Sequence, residues 1–461
     1  MTEPAASAAS DKPAAPDKSF LGTQPLGPLM RRLALPAIAS QLVALLYNVV
    51  DRAFVGHIPD IGVQALTGLG VVLPLLAVIQ SFGAYLGAGC APLAGMRLGA
   101  RDMRGVQVAV GNAATLLVLV TVVELALCLL FGGPLLSAFG ASPDTLPFAQ
   151  LYLNIYLIGL PFILATHVFS MLLLGQGGSK EVLKANVTSS LLNVALDALF
   201  IMGFGWGIAG AASATVIAEL VCVTMLGLRL QRPDSAFRIR RDALKLQVET
   251  VRRIFSIGIG RFFVNSTEGV LVIVLNAQMQ RFGGDAWVAS LTILETLQMM
   301  CFGVSSGFTQ GTQGILSYCY GAKLAQRTKD TMKRLVATGF AINAATTLLL
   351  MLFASPVISL FTSDPDTIER TAQMVPLFLS GMTLFGIQLG IQTIFMSTGH
   401  GFCSLIVAAV RKIVLFIPLA FILPPFQGAF GVVLAEPISD FLSIAFCSCF
   451  FAIMYRKIRL Q

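Results

Sequence analysis

The run VQVAVGNAATLLVLVTVVELALCLLFG, residues 106–132, decides the fold class of this chain. It holds a single ionisable side chain, Glu124. A helix needs about 20 predominantly apolar residues to cross the ~30 Å hydrocarbon core of a membrane, so the run predicts a transmembrane helix. An outer-membrane barrel would instead show short segments that alternate between apolar and polar residues.

Eleven other runs have the same character and give twelve predicted spans in all. The spans cover residues 32–54, 66–92, 106–132, 148–173, 184–204, 208–229, 253–279, 287–316, 335–361, 372–397, 402–423 and 428–455. The chain is therefore predicted to be an all-α polytopic membrane protein, and the lipid bilayer is its first expected partner.

The composition excludes several classes of protein. Only 12% of the 461 residues are charged, whereas 56% are hydrophobic. A soluble domain carries about 25% charged residues, so this chain is neither an ordinary soluble globule nor a disordered chain. Nucleic acid is not an expected partner, because the net charge of +8 is explained by cytoplasmic loops of a membrane protein.

The positions of Lys and Arg predict the orientation. With the N-terminus inside, 25 of the 31 basic residues fall on the cytoplasmic side. Both termini are then cytoplasmic, and the expected location is the plasma (inner) membrane. The predicted organisation is a disordered cytoplasmic tail over 1–25, a first lobe of six spans over 26–231, a basic cytoplasmic linker over 232–252 and a second lobe of six spans over 253–461.

The two halves resemble each other at an offset of about 222 residues, as from Leu98 to Tyr320. Leu98-Gly-Ala-Arg101 corresponds to Tyr320-Gly-Ala-Lys323, and Arg32-Leu-Ala-Leu-Pro36 corresponds to Ile254-Phe-Ser-Ile-Gly258. Because six spans per repeat is an even number, the halves share one topology and are related by a pseudo-two-fold axis along the membrane normal. Two six-helix lobes with a cleft between them are the architecture of an alternating-access transporter.

Acidic side chains outnumber basic ones inside the predicted spans. An ionisable side chain near the bilayer centre costs about 2.5–3.5 kcal/mol, so such residues are functional candidates. Eight acids face three bases once the basic residues near the span ends, Arg32, Arg52, Lys184, Arg229 and Arg253, are assigned to the flanking loops. This excess predicts a path for a cation or a proton. The acids are Asp51, Glu124, Asp197, Glu219, Glu268, Glu295, Glu436 and Asp440, and the bases are Arg261, Arg411 and Lys412.

Helical spacing groups some of these acids with polar neighbours. Asn193 and Asp197 are four residues apart and share a helix face, as do Tyr47 and Asp51. At ~1.5 Å per residue, Asp51 and Asp197 both lie beyond the midplane of the membrane. We therefore predict one cavity in the first lobe that holds Asp51, Asn193 and Asp197. The alternative is that each carboxylate only hydrogen-bonds a neighbouring helix.

The second half leaves more alternatives open. Glu268 either forms a structural ion pair with Arg261 or takes part in coupling. Asp440 is expected to pair with Arg411 or Lys412 in a structural role.

Candidate residues for a substrate cleft are Gln388, Gln392 and Met299. Met299 belongs with Met279, Met300 and Met382 to a set that either lines an adaptable site or packs as ordinary apolar residues. Pro36, inside the first span, frees a backbone carbonyl and is the predicted hinge.

Motifs for other chemistry are missing from the sequence. It contains no G-x-x-x-x-G-K-[ST], H-E-x-x-H or G-x-S-x-G, and its eight Cys residues form no CxxC pair beside His. The chain is therefore expected not to be an enzyme and to need no cofactor.

Two stretches carry a resemblance to a known family. The first is Leu35-Pro36, Tyr47-Asn48-Val-Val-Asp51 and Val55-Gly56, and the second is Asn193-Val-Ala-Leu-Asp197-Ala-Leu-Phe, followed by Gly207-Ile-Ala-Gly-Ala-Ala-Ser-Ala-Thr215. On these motifs the chain resembles the multidrug and toxic compound extrusion (MATE) family over essentially its whole length. Its likeness is to the DinF-like and MepA-like branch.

The resemblance implies a function and a site. It implies efflux of amphiphilic or cationic drug-like compounds, driven by inward H⁺ or Na⁺, by a protein that acts as a monomer. The positions that match the family's first-lobe cation site, with H⁺ or Na⁺ bound at the two Asp, are Tyr47, Asp51, Asn193, Asp197 and Thr215.

Glu268 resembles the seventh-helix glutamate of the NorM-like branch. The tenth-helix aspartate of that branch has no counterpart here, since span 372–397 carries Gln388 and Gln392 instead of an acid.

Two other transporter classes remain as alternatives. A lipid-linked oligosaccharide flippase of the same superfamily usually has fourteen spans and a basic cavity. A major facilitator transporter also has two six-helix halves, but Gly95-Met-Arg-Leu-Gly-Ala-Arg-Asp102 does not fit the loop motif of that class.

Overall fold

A computed structural model describes residues 18–56, 58, 62–139, 141–143, 145–362 and 364–458. Most of the predicted N-terminal tail, residues 1–17, lies outside the described residues. The described part is helical and contains no strand. After a four-residue helix, α1, the first half forms six long helices. Helix α1 covers Phe20–Thr23, and the six long helices are α2 (Leu26–Gly56), α3 (Gly62–Gly99), α4 (Met103–Ala138), α5 (Leu146–Gly175), α6 (Ser179–Asp197), continued by a π-helix over Ala198–Gly203, and α7 (Gly207–Leu230).

The second half repeats this arrangement after a 3₁₀ turn, Arg241–Ala243, in the connecting loop. Its helices are α8 (Val248–Gly283), α9 (Asp285–Gly321), α10 (Ala325–Leu352), α11 (Ala354–Ile358), α12 (Pro365–Phe378), α13 (Met382–Ser397), α14 (Gly401–Ala409), a π-helix over Val410–Phe416, α15 (Ile417–Ile422), α16 (Pro424–Gln427) and α17 (Ala429–Tyr455).

The membrane-spanning helices agree with the predicted spans. Over the described residues, ten continuous helical runs are long and apolar enough to cross a membrane, and the bent pair α12–α13 makes an eleventh. Helix α8 is 36 residues long, although Arg261, Asn265 and Glu268 interrupt its apolar run. With α8 included, each of the twelve predicted spans has a helical counterpart. Apolar side chains such as Leu130 (71% exposed) and Ile158 (69%) cover the outer surface, as a lipid-facing surface requires.

The predicted span 372–397 differs from a single straight helix. Helix α12 ends at Phe378, α13 begins at Met382, and the two are bent by 47°. Pro376 removes a backbone donor from the last turn of α12, which favours a break there. Gly381, in the break, lies against the side chain of Asp440 on α17.

The internal repeat is visible in the backbone. Arg101 has φ 58° and Lys323, its counterpart, has φ 55°, although non-glycine residues rarely adopt positive φ. Gly177 and Gly399, which are separated by the same offset, have φ 85° and 83°. Because the same unusual backbone conformation recurs at equivalent positions, the two lobes share their loop geometry as well as their helix order.

The lobes meet closely where α3 and α9 end. A Cβ atom on Gly99 would overlap the carbonyl oxygen of Tyr318, and one on Gly321 would overlap the carbonyl oxygen of Met96. Each glycine thus lets the backbone of one lobe lie directly on the backbone of the other. We call these four residues the glycine seam.

Candidate functional site

The first-lobe site lies between α2 and the C-terminal end of α6. Asp51 on α2 and Asp197, the last residue of α6, are buried, with 8% and 0% of their surfaces exposed. Their carboxyl groups come within hydrogen-bonding distance of each other. The π-helix that follows Asp197 marks a local departure from the α-helical ladder, and such segments are frequent at functional sites.

Asn193 and Thr215 complete the polar wall of this site. With its amide oriented so that both of its groups are satisfied, Asn193 Nδ2 donates to Asp197 Oδ2 at 2.9 Å. In the same orientation Asn193 Oδ1 accepts from the backbone N–H of Thr215 at 3.2 Å. One turn of α6 therefore separates a donor from the carboxylate it orients, as the four-residue spacing predicts.

Two tyrosines converge on Thr215. Tyr47 and Tyr152 each come within hydrogen-bonding distance of its hydroxyl group, which itself donates to Ala211 O at 3.1 Å. Tyr152 is 4% exposed. The five residues that the sequence singled out for the first lobe, Tyr47, Asp51, Asn193, Asp197 and Thr215, are thus brought together around one buried site. Tyr152 joins them, and nothing in its sequence neighbourhood distinguished it from packing aromatics.

Three first-lobe acids inside the predicted spans form no ion pair with a described residue. In the part of the chain that the structure describes, no ion pair joins Asp197, Glu124 or Glu219 to Lys or Arg. Asp197 Oδ1 and both carboxyl oxygens of Glu124 are buried and receive no hydrogen bond from the described residues. A buried carboxyl group without a counter-charge is most stable when it carries a proton or binds a cation.

A second polar layer leads from this site toward the middle of the molecule. Glu219 lies beside Thr166, and Gln80 Nε2 donates to the hydroxyl oxygen of Tyr156 at 2.8 Å. Gln80 also lines the central cavity. Tyr156 lies close to Glu219, so polar side chains connect the region behind the first-lobe site with the cavity wall.

The central cavity lies between the lobes and has a volume of about 520 Å³. Gln41, Leu45 and Gln80 of the first lobe contribute to its wall, but most of the wall comes from the second lobe. The predicted cleft residues Gln388, Gln392 and Met299 line it, and so does Met382. Met279 instead packs in the core of the second lobe, and Met300 packs against that core.

The second-lobe acids are held by bases. Arg411 Nη2 contacts Glu436 Oε1 at 2.8 Å, and Arg411 Nε contacts Asp440 Oδ1 at 2.7 Å. Gln298 Nε2 also donates to Glu436 Oε1 at 2.8 Å, and the guanidinium lies over the ring of Phe385 at 4.5 Å from its centroid. Asp440 therefore pairs with Arg411, one of the two partners that the sequence predicted.

Glu268 does not pair with Arg261, and that alternative from the sequence was wrong. Its partner is Lys412, whose Nζ contacts Glu268 Oε2 and also donates to Val264 O at 3.1 Å. Seven residues separate Arg261 from Glu268, which is about 10 Å along a helix, whereas Lys412 approaches from the π-helix of the neighbouring span. The sequence carried no signal for this pairing between helices.

Arg261 is left without a partner. It lines the central cavity but forms no hydrogen bond and no ion pair with any described residue, and its Nε is buried. Glu295 also lines the cavity, and its buried Oε1 receives no hydrogen bond from the described residues. Sequence reasoning treated Arg261 as half of an ion pair and therefore missed it as a free cation.

No cluster of three or more His, Cys, Asp or Glu residues that could hold a metal ion occurs within the described ranges. The oxygen-rich first-lobe site contains carboxylate, amide and hydroxyl groups, which are the donors that hard cations prefer. Its chemistry therefore suits a proton or an alkali cation better than a transition metal.

Comparisons with known proteins agree with this architecture. The MatE family model matches residues 36–199 and 262–422. The multidrug export protein MepA of Staphylococcus aureus (strain MSSA476) is 22% identical to this chain over 429 residues, which cover 92% of this chain and 93% of that protein.

Solved structures show the same fold. A MATE in complex with MaL6 superposes with a TM-score of 0.90 at 22% identity, covering 96% of this chain and 99% of that one. The outward-facing conformation of a multidrug resistance MATE family transporter of the MOP superfamily superposes with a TM-score of 0.89 at 23% identity, covering 96% and 98%.

Proposed function

This chain belongs to the MatE family, and on that basis we propose that it exports amphiphilic or cationic drug-like compounds in exchange for protons. The proposal places it as a monomer in the inner membrane, with both termini in the cytoplasm. Membership of this family removes the major facilitator alternative. The similarity to multidrug export protein MepA supports drug efflux as the activity.

The contact between Asp51 and Asp197 supports protons as the coupling ion. Asp51 and Asp197 lie within hydrogen-bonding distance of each other, and two carboxyl groups can share a hydrogen bond only when one of them holds a proton. Like charges at such a distance also favour proton uptake over double ionisation. Na⁺ is the alternative ion at the same two carboxylates, because bound Na⁺ would likewise offset their repulsion.

Helix α2 supplies a physical link between ion and substrate. It carries Tyr47 and Asp51 at the cation site, and it carries Gln41 and Leu45 in the wall of the central cavity. Pro36 lies in the same helix and lacks a backbone donor, so α2 bends there more easily than elsewhere. Proton binding at Asp51 thereby changes the shape of the cavity that the substrate occupies.

The cavity suits substrates of drug size. Ligand sites of about 300–1,000 Å³ are typical for such molecules, and this one measures about 520 Å³. Its wall combines methionine and phenylalanine side chains, which adapt to varied apolar shapes, with several glutamines that offer hydrogen bonds.

The transport cycle follows from linkage. If proton binding at the first-lobe site lowers the affinity of the cavity for substrate, substrate binding lowers the proton affinity by the same factor. Protons that enter from outside release the substrate outward, and substrate that enters from the cytoplasm releases the protons inward. The lobes alternate between the two openings.

The test is dye efflux from proteoliposomes with a proton gradient and a sodium gradient imposed separately. Wild type is compared with Asp51→Asn, Asp197→Asn and the control Asp234→Asn, which changes an exposed loop carboxylate. We expect proton-driven efflux that both site variants lose and the control keeps. Efflux driven by sodium alone would contradict proton coupling, and undiminished efflux in Asp51→Asn would contradict the site.

The flippase alternative has its own readout. Purified protein that moves no dye under either gradient but transfers a fluorescent lipid-linked oligosaccharide between leaflets would replace the efflux proposal.

A further inference from the structure

The central cavity contains three basic side chains, and two of them are already neutralised. Arg411 is held by Glu436 and Asp440, and Lys412 is held by Glu268. Arg261 makes no hydrogen bond or ion pair within the described part of the chain, and its nearby titratable residue His167 bonds Ile163 O through Nδ1. Among the described residues of this wall, the one unpartnered cation is therefore Arg261.

The acids of the cavity divide in the same way. Glu268 and Glu436 are engaged by Lys412 and Arg411, whereas Glu295 forms no hydrogen bond or ion pair with any residue that the structure describes. Glu295 is near enough to Glu268 and Glu436 to interact with them electrostatically, and of these three acids it is the one without a counter-charge among the described residues.

The two unpartnered groups lie at different levels of the cavity. Arg261 precedes Glu268 by seven residues on α8, a rise of about 10 Å along the helix axis. Glu295, on α9, interacts electrostatically with Glu268 and therefore lies near its level. A positive group and a negative group thus face the same cavity about two helical turns apart, with Leu271, Met299 and Phe302 among the apolar residues of the wall.

We propose that this cavity selects zwitterionic amphiphiles, with an anionic group such as a carboxylate bound by Arg261 and an ammonium group bound near Glu295. Charged groups removed from water are unstable without counter-charges, and such a molecule satisfies both side chains at once. The inference rests on the proposed function only in taking the central cavity as the substrate site. It narrows the expected substrate from organic cations to molecules that carry both charges.

A matched set of fluorescent probes tests this selection. Nα-dansyl-lysine carries a carboxylate and an ammonium group, dansylcadaverine lacks the carboxylate, and dansyl-norleucine lacks the ammonium group. Binding is measured from dansyl fluorescence with the full chain in lipid nanodiscs, without any gradient. We expect Nα-dansyl-lysine to bind about tenfold more tightly than either single-charge probe, since a charge-assisted contact is lost in each.

Variants assign each charge to its residue. Arg261→Gln should weaken Nα-dansyl-lysine about tenfold and leave dansylcadaverine unchanged, while Glu295→Gln should weaken both probes that carry an ammonium group. Arg252→Gln, at an exposed position of the same helix outside the cavity, is the control and should change neither. Arg261→Lys keeps the positive charge and should still bind Nα-dansyl-lysine more tightly than dansylcadaverine. This variant tests the role of the charge even if Arg261→Gln fails to fold.

The outcomes separate this inference from the proposed function. Equal binding of all three probes by wild type, or unchanged Nα-dansyl-lysine binding in folded Arg261→Gln, would overturn the inference. Asp51→Asn should still bind Nα-dansyl-lysine while losing proton-driven efflux. Selective binding with no transport of any probe under either gradient would sink the exporter proposal and leave the zwitterion site standing.

Discussion

The first lobe buries Asp51 and Asp197 beside each other, whereas the second lobe buries Asp440 and Glu436 against Arg411. The two lobes share their helix order and the loop conformations at Arg101/Lys323 and Gly177/Gly399, so these acids differ mainly in the side chains that surround them. An acid held by a guanidinium is a fixed charge, while an acid beside another acid exchanges a proton readily. In the proposed mechanism, equivalent parts of one repeated fold serve for coupling in the first lobe and for structure in the second.

Neutralising one acid in each lobe should give the largest and most different effects. Asp197→Asn should abolish proton-driven efflux and change thermal stability little, because asparagine fits where a protonated carboxyl group sits. Asp440→Asn should lower stability and leave proton dependence intact, since it breaks a structural pair. Efflux in liposomes and thermal melts in detergent measure the two effects. Loss of coupling in both variants would mean that the lobes share the coupling role.

A second test removes the base. Arg411→Gln leaves Glu436 and Asp440 buried without a counter-charge, and breaking a buried pair in this way costs about 3–5 kcal/mol. We expect a large fall in melting temperature and a partial recovery when Glu436→Gln and Asp440→Asn are added. A triple variant no more stable than Arg411→Gln would show that the acids do not depend on the arginine.

The two members of the Lys412–Glu268 pair differ in exposure. The side chain of Lys412 is 3% exposed, whereas that of Glu268 is 52% exposed toward the cavity. Glu268→Gln strands a buried ammonium group and should cost about 3 kcal/mol, while Lys412→Gln strands a hydrated carboxylate and should cost about 1 kcal/mol. Thermal melts of the two single variants and the double variant show which substitution costs more stability. Equal costs would contradict the predicted difference between Glu268→Gln and Lys412→Gln.

The smallest effect is expected in the loop that joins the lobes. Arg229 contacts Asp234 through two hydrogen bonds at 3.0 and 2.9 Å. Burial acts to raise the pKa of Asp234, but the hydrogen bonds and charge of Arg229 outweigh it and hold this pKa below its usual value. The pair therefore stabilises the fold above pH ~4 and stops doing so as the pH falls through the lowered pKa.

Asp234→Asn should accordingly cost less than about 1 kcal/mol at pH 7, because the carboxylate is largely exposed, and nothing once the pH has fallen below the lowered pKa. Melting curves of both proteins across this pH range provide the measurement. If Asp234→Asn still lowers stability at a pH below the lowered pKa of Asp234, the loss comes from packing and not from the charge of the carboxylate.

Local spacing explains what could be predicted from the sequence. Twelve apolar runs gave the helices, and four-residue spacing put Asn193 on the same face as Asp197. The contact between Asp51 and Asp197 joins two helices far apart in the chain. It could be predicted from the similar depth of the two residues in the membrane and from the family resemblance.

Contacts that depend on helix irregularities could not be predicted. Lys412 reaches Glu268 from a π-helix, which changes the direction of side chains relative to a regular helix. Periodicity therefore favoured Arg261, the residue on the same helix, as the partner. The break between α12 and α13 was missed for a related reason, because apolar composition continues through it.

The glycine seam has the symmetry of a homodimer interface. Gly99 meets Tyr318 and Gly321 meets Met96, and the two contacts exchange equivalent positions of the repeat, so the interface is isologous within a single chain. Two identical half-chains would make the same glycine contact twice, once on each side of a two-fold axis, as the subunits of a symmetric dimer do. The single chain thus keeps the closing surface of a homodimer, but its two copies can change in sequence separately. In the proposed mechanism, this freedom allows one half alone to carry the ion-binding site.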